Sequence, residues 1–320
     1  MKLATFEIDG KELIGVVDTG KKEILALSAT SGGKPVFTSM LTLIEGGAPA
    51  LTDAMKLTEK WQKEFVYPLE GTRLLAPVPV PPQMRDASVY ATHVKNAPRG
   101  MQRYIARKTQ GEEAAAKIQA EPDVPPVYRQ LPVYYITNRF SVVGPDAVVT
   151  WPRYSELMDF ELEFGVYIGK RGKDIPASQA KDYIFGYTIF NDFSARDQQV
   201  IEMQGRLGPT KGKSFDTGNA MGPWIVTPDE LGDPEKMNVE VRVNGEVWAR
   251  NSTGEMLHNF EKMIEHISKD ETLYPGEFIG SGTVGNCCGL EQDRFLSDGD
   301  TIELYVDRIG TLRNKVVRQN

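Results

Sequence analysis

The chain has 320 residues, 40% hydrophobic and 25% charged, which is an ordinary composition for one large domain or two, with enough apolar material for a sizeable core. A formal net charge of −7 argues against nucleic acid or an anionic membrane as the main partner. The only two cysteines, Cys287 and Cys288, are adjacent and so read as small buried residues rather than a disulfide. Early charges in the N-terminal stretch and the lack of a long apolar run make the cytoplasm the expected location.

Residues 2 to 27 read as short strands, with turn chemistry at Ile8-Asp9-Gly10-Lys11 and Asp18-Thr19-Gly20. Thr52 to Phe65 has the spacing of a helix, with Ala54, Leu57, Trp61 and Phe65 on one side. Pro77, Pro79, Pro81 and Pro82 then exclude both helix and central strand, so a boundary is expected here: residues 1–73 form a small N-terminal, β-rich domain and 74–320 the main domain. Asp86 to His93 reads as an irregular segment. Gly111 to Ala120 reads as a polar helix and Leu131 to Val149 as strand with a Gly144-Pro145-Asp146 turn. The polar helix belongs to an exposed insertion around 108–123, expected to lie near the site entrance and to be mobile. Asn238 to Arg250 reads as a hairpin through Asn244-Gly245, and Glu255 to Ser268 as an amphipathic helix that leaves His258 and His266 on the surface. Two strands close the chain around Ile309-Gly310. The main domain is therefore α+β and mostly β. Without βαβ alternation a doubly wound sheet is not expected.

Met158 to Ser214 carries the chemistry. Phe160, Leu162, Phe164, Val166 and Ile168 alternate as on a strand, which places Glu161 and Glu163 together on the other face. Phe185 to Asn191 reads as a buried strand ending in Asp192. Two glutamates and an aspartate on rigid strands suit a hard divalent cation, although E-x-E alone more often marks a solvated strand face. Arg196, Gln199 and Lys213 could hold an anionic substrate and a developing oxyanion; equally, Arg196 and Asp197 could pair at the surface. The stretch Gly208 to Ser214 is one residue short of a phosphate-binding loop, and Pro209 removes a backbone donor, so nucleotide binding is excluded.

Asp86-x6-His93, Glu161-x-Glu163, the run Asn-Asp-Phe-Ser-Ala-Arg-Asp-x-Gln ending at Gln199, Gly-Lys-Ser-Phe, Gly282-Thr283-Val284-Gly285 and Gly310 to Asn314 together resemble the fumarylacetoacetate hydrolase (FAH) family, over about residues 70 to 320. The resemblance implies an FAH-like catalytic domain, a mixed β-roll/β-sandwich, and a homodimer. It implies Asp86, Glu161, Glu163 and Asp192 as ligands of Mg²⁺ or Mn²⁺, with Ca²⁺ as a further candidate. It implies His93 as general base oriented by Glu291, and Arg196, Gln199 and Lys213 as oxyanion and substrate groups. Tyr135, Thr283 and Arg103 would complete the substrate contacts. Short family members carry His-x-x-Glu on a lid helix; here that position is Asn96, which points to the fumarylacetoacetase-like arrangement.

The reaction so implied is hydrolysis of a carbon–carbon bond in a 1,3-dicarbonyl acid, an acylpyruvate or a fumarylpyruvate-like product of aromatic ring cleavage. Decarboxylation, tautomerisation or dehydration of a 2-keto-3-deoxy acid would use the same site without activated water. A catalytically silent metal-binding or dimerisation module is the remaining class, and the joint presence of base, oxyanion groups and four carboxylates speaks against it.

Overall fold

The computed structural model describes residues 1–319. A large mixed sheet runs through it, in the order Val66–Pro68, Glu23–Ala26, Lys11–Asp18, Lys2–Ile8, Asn219–Val226, Ile184–Asp192, Leu162–Ile168, Phe278–Gly280, Met84–Ala87 and Tyr134–Ile136. A second sheet has the order Glu246–Ser252, Asn238–Val243, Thr301–Val306, Gly310–Arg318 and Val148–Trp151. Among the described residues no helix is long and apolar enough to cross a membrane.

The large sheet crosses the expected boundary near residue 74. Lys2 and Leu3 pair with Val226 and Ile225, so the N-terminal strands extend the sheet that carries the E-x-E strand. Packing follows the same line. Phe160, Leu162, Phe164, Val166 and Ile168 enter one apolar core, as their alternation requires. On the other face Tyr167, Phe190, Phe278 and Met84 pack with Leu3, Ile14, Val16, Phe37, Met40 and Leu43 from the N-terminal segment. The strand is buried on both faces, and this second core ends where Glu163 and Glu161 replace Tyr167 on the same face. Burial of both carboxylates overrides the solvated-face alternative.

The two expected hairpins form. Asn244 and Gly245 have φ of 51° and 80°, the left-handed pair that a tight two-residue turn needs. The closing strands pair from Thr301↔Lys315 to Val306↔Gly310. The late helix is shorter than expected, Phe260–Ile267, because the Asn259 side chain accepts from Lys262 N and caps it there. The early helix is Gly47–Thr58 rather than 52–65. The expected strand 131–149 divides into Tyr134–Ile136, Val142–Val143 and Val148–Trp151, which join different partners on either side of the Gly144-Pro145-Asp146 turn.

The largest correction concerns His93. It stands in the first turn of a 20-residue helix, Ala91–Gln110, not in an irregular segment. The helix continues through Pro98 and Gly100. Gly100 lies against the Leu290 carbonyl so closely that a Cβ there would stand 2.1 Å from its oxygen. The helix stops at Gly111, φ 90°, and only Glu112–Ala116 of the expected polar helix is helical. Most of 111–120 is exposed as expected, but Ala115 is fully buried and Arg107 pairs with both Glu112 and Asp293. His258 and His266 are half-buried rather than at the surface: His258 Nε2 lies 2.8 Å from the Tyr128 carbonyl oxygen, and His266 meets Tyr134 edge-on.

Candidate active site

Three strands bring the acidic groups together. Asp86 comes from Met84–Ala87, Glu163 from Leu162–Ile168, and Asp192 from the end of Ile184–Asp192; Glu161 immediately precedes the second of these. Asp86, Glu163 and Asp192 each offer an oxygen within 4.8 Å of the others. Gly280 makes this convergence feasible, since a Cβ there would stand 2.5 Å from Asp86 Oδ1 and 3.2 Å from Glu163 Oε2.

These carboxylates destabilise one another. Burial, then repulsion from Asp192, pushes the Asp86 pKa up to about 8. Burial and Asp86 push Glu163 well above the usual carboxylate range, and burial raises Asp192 despite the adjacent Lys213. One oxygen of each, Asp86 Oδ1, Glu163 Oε1 and Asp192 Oδ1, is buried without a hydrogen-bond partner. Three buried carboxylates drawn this close together, each with an unpartnered oxygen, fit a hard divalent cation, which would supply a partner and relieve the repulsion.

Glu161 differs from the other three. Its Oε1 meets Arg196 Nη2 at 2.8 Å and its Oε2 meets Lys213 Nζ at 2.6 Å. Burial acts to raise its pKa, but Lys213 and Arg196 outweigh it and hold Glu161 well below the ordinary range. Lys213 also donates to Asp192 Oδ2 at 2.6 Å and so spans the two carboxylates. Tyr135 OH donates to the same Asp192 oxygen at 2.7 Å.

Arg196 was expected among the oxyanion groups, but here its guanidinium is engaged by carboxylates. It is 1% exposed, and besides Glu161 it donates through Nε at 2.8 Å to Asp159 Oδ2, which Nη2 approaches at 2.7 Å. Its Nη1 donates to Gln199 Oε1 at 3.0 Å, which leaves the Gln199 amide nitrogen as that residue's available donor. Asp159, which sequence reasoning passed over, is the hub of this side. It also accepts from Gly289 N and Leu290 N at 2.8 and 2.9 Å, capping the short turn Gly289–Gln292 that carries Glu291. The signal was present: Asp159, Glu161 and Glu163 form one alternating acidic triplet.

Glu291 Oε2 lies 3.0 Å from His93 Nδ1, while its Oε1 accepts from Asn286 N at 2.9 Å. The imidazole is thereby oriented with Nε2 toward the acidic cluster, 4.0 Å from Glu161 Oε1. Burial acts to lower the His93 pKa, but Glu291 outweighs it and the net shift is upward. Thr283 Oγ1 is buried without a partner. Arg103 lies apart from this group, its Nε donating at 3.2 Å to the Ile118 carbonyl in the segment after Ala116. The structure thus brings together all the expected residues except Arg103, and it adds Asp159 and Cys288.

The fumarylacetoacetate (FAA) hydrolase C-terminal family profile matches residues 101–317, and the chain belongs to that family. It is 31% identical over 336 residues to the oxaloacetate tautomerase YisK of Bacillus subtilis, an alignment covering 99% of this chain and all of that protein. Two solved structures correspond to it over the full length of both chains. A fumarylacetoacetate hydrolase from the psychrophile Exiguobacterium antarcticum is 29% identical with a TM-score of 0.75. A 5-carboxymethyl-2-hydroxymuconate delta-isomerase from Mycobacterium smegmatis is 27% identical with a TM-score of 0.70. The family thus includes both hydrolases and isomerases.

Proposed function

We propose that this chain is a divalent-metal-dependent enzyme acting on a short 2-oxo acid with a second carbonyl or carboxyl group in the β position, and that it catalyses keto–enol tautomerisation of an oxaloacetate-like dicarboxylate. Asp86, Glu163 and Asp192 would hold the cation, whose contribution is Lewis-acid polarisation of a carbonyl oxygen. His93, oriented by Glu291, takes a proton from the carbon between the two carbonyl groups and delivers it to the enol oxygen, or the reverse. The Thr283 hydroxyl and the Gln199 amide nitrogen are available donors for the substrate's oxygens.

One observation carries the choice of outcome: Arg196 is committed to Asp159 and Glu161. Hydrolysis passes through a tetrahedral oxyanion that needs free donors, whereas tautomerisation needs a single proton carrier and an enolate-stabilising cation. The full-length relationship to an oxaloacetate tautomerase points the same way.

Hydrolysis of an acylpyruvate is the second reading. The His93–Glu291 pair favours it, since that arrangement also suits activation of water.

The test follows the enol absorbance of oxaloacetate and, in parallel, acid release from a panel of acylpyruvates, with Mg²⁺ or Mn²⁺ and with chelator. Metal-dependent acceleration of the oxaloacetate interconversion without acylpyruvate cleavage is expected. Efficient cleavage without tautomerisation would replace the first reading by the second, and inertness toward both substrate classes with metal present would end both.

A further inference from the structure

Cys288 stands beside the base, outside the chemistry proposed above. Its thiol donates to Glu291 Oε2 at 3.3 Å, the oxygen that also meets His93 Nδ1, and its sulfur lies 3.9 Å from that nitrogen. The three potential ligand atoms, one sulfur, one nitrogen and one oxygen, therefore form a compact triangle with edges of 3.9, 3.3 and 3.0 Å. Tetrahedral zinc, with Zn–S near 2.3 Å and Zn–N or Zn–O near 2.0–2.1 Å, sets ligand–ligand edges of roughly 3.3–3.6 Å. Each edge of the triangle is within about half an ångström of that range.

We propose that Cys288, His93 Nδ1 and Glu291 Oε2 form a second metal site, selective for a soft or borderline cation such as Zn²⁺, and that its occupation silences the base. This site is distinct in kind from the acidic cluster. Asp86, Glu163 and Asp192 offer only oxygen and suit hard cations, whereas a thiolate with an imidazole favours zinc. The charges match: a thiolate and a carboxylate supply two negative charges and neutral imidazole none. Arg196, the nearby cation, is already matched by Asp159 and Glu161. The Asn286 amide holds the far Glu291 oxygen and fixes the carboxylate plane. Burial pushes the Cys288 thiol well above its ordinary pKa, so the thiol is protonated without metal. Binding forms the Zn–S bond as the S–H bond breaks, and the proton is released to solvent with no change of oxidation state. The bound cation then takes the Nδ1 lone pair, and the proton that Nδ1 shared with Glu291 passes to Nε2, so the ring keeps its place but has no nitrogen left to accept a proton.

The experiment adds Zn²⁺, and separately Co²⁺ as a spectroscopic probe, to the full-length protein held in excess Mg²⁺. Wild type, Cys287→Ala, Cys288→Ser and Cys288→Ala are compared. Wild type and Cys287→Ala, whose only cysteine is Cys288, should both show a near-ultraviolet thiolate-to-Co²⁺ band and release a proton on binding Zn²⁺. Cys288→Ala and Cys288→Ser should lose the band, and Zn²⁺ affinity at this site should fall at least about 10-fold. Whatever reaction the protein catalyses, Zn²⁺ should inhibit wild type in excess Mg²⁺ and inhibit Cys288→Ala at least about 10-fold less sensitively. Absence of the band in Cys287→Ala would overturn the proposal even if the Cys288 variants failed to fold. Unchanged Zn²⁺ affinity in Cys288→Ala would also overturn it, by leaving the acidic cluster as the only zinc site. The band, proton release and affinity do not depend on the tautomerase reading, so that reading can fail separately.

Discussion

The two halves of the site are equally buried and oppositely matched. On one side Asp86, Glu163 and Asp192 crowd together with an unpartnered oxygen each. On the other, Arg196, Asp159 and Glu161 form a knot in which both carboxylates meet the same guanidinium, and Asp159 accepts two backbone amides besides. Carboxylates of one sign lower stability until a cation joins them, whereas the charges of the knot are matched within the chain itself. The contrast separates what the chain holds ready for a ligand from what it uses to hold itself, and His93 and Lys213 lie along the seam.

The seam gives the largest expected effect. His93→Asn should reduce kcat by about 10²–10⁴-fold while leaving Mn²⁺ affinity intact, because in the proposed reaction the imidazole carries the proton, and it is no part of the acidic cluster. Steady-state rates and a metal titration check this together, and a parallel loss of Mn²⁺ binding would erase the division between the two halves. Asp159→Ala, in the knot, should lower unfolding free energy by about 3–5 kcal/mol in urea, since it leaves a buried guanidinium short of its main partner. A loss below about 1 kcal/mol would mean that the knot is not what holds this side. Glu163→Gln should do the reverse to the metal-free protein, stabilising it on the order of 1 kcal/mol by removing one of the repelling charges. It should also abolish the rise in Tm expected of wild type on adding Mn²⁺; a lower Tm in chelator would contradict this account of the cluster. The smallest effect is expected from Thr283→Val. This near-isosteric change removes a buried hydroxyl that has no partner in the chain, so Tm should hold or rise slightly while KM increases by about 5–10-fold. An unchanged KM would remove Thr283 from the substrate contacts.

Much of this site could be read before the fold. The alternation from Phe160 to Ile168 places the acidic pair on one face, and the apolar run before Asp192 delivers that aspartate from a strand end, because period and strand termini are local properties. Asp86, Glu291, Thr283 and Tyr135 required the family resemblance, since their proximity depends on pairings such as Gly280↔Asp86 and Asp86↔Tyr135 that leave no local trace. His93 was read as irregular because it follows the proline-rich stretch, and 111–120 as an exposed insertion because it has little apolar face; neither signal reveals the helix Ala91–Gln110, which tertiary packing carries through Pro98 and Gly100. Arg196 was read either as an oxyanion group or as the surface partner of the neighbouring Asp197. Its actual partner, Asp159, is 37 positions away, and Asp197 instead accepts from Ser155 Oγ and Glu156 N.

Gly100 bears on any attempt to make a hardier variant. Glycine in mid-helix ordinarily invites replacement by alanine, a change that raises stability by as much as about 1 kcal/mol wherever the helix is free. Here the missing methyl group lets the helix rest on the Leu290 carbonyl, one residue from Glu291 and two turns from His93. An alanine at this point would push the helix off that carbonyl and move the imidazole relative to its carboxylate. A thermostability screen scored on melting temperature alone would discard Gly100→Ala as a puzzling failure. A screen scored on turnover would identify the same substitution as a change in the spacing between His93 and Glu291.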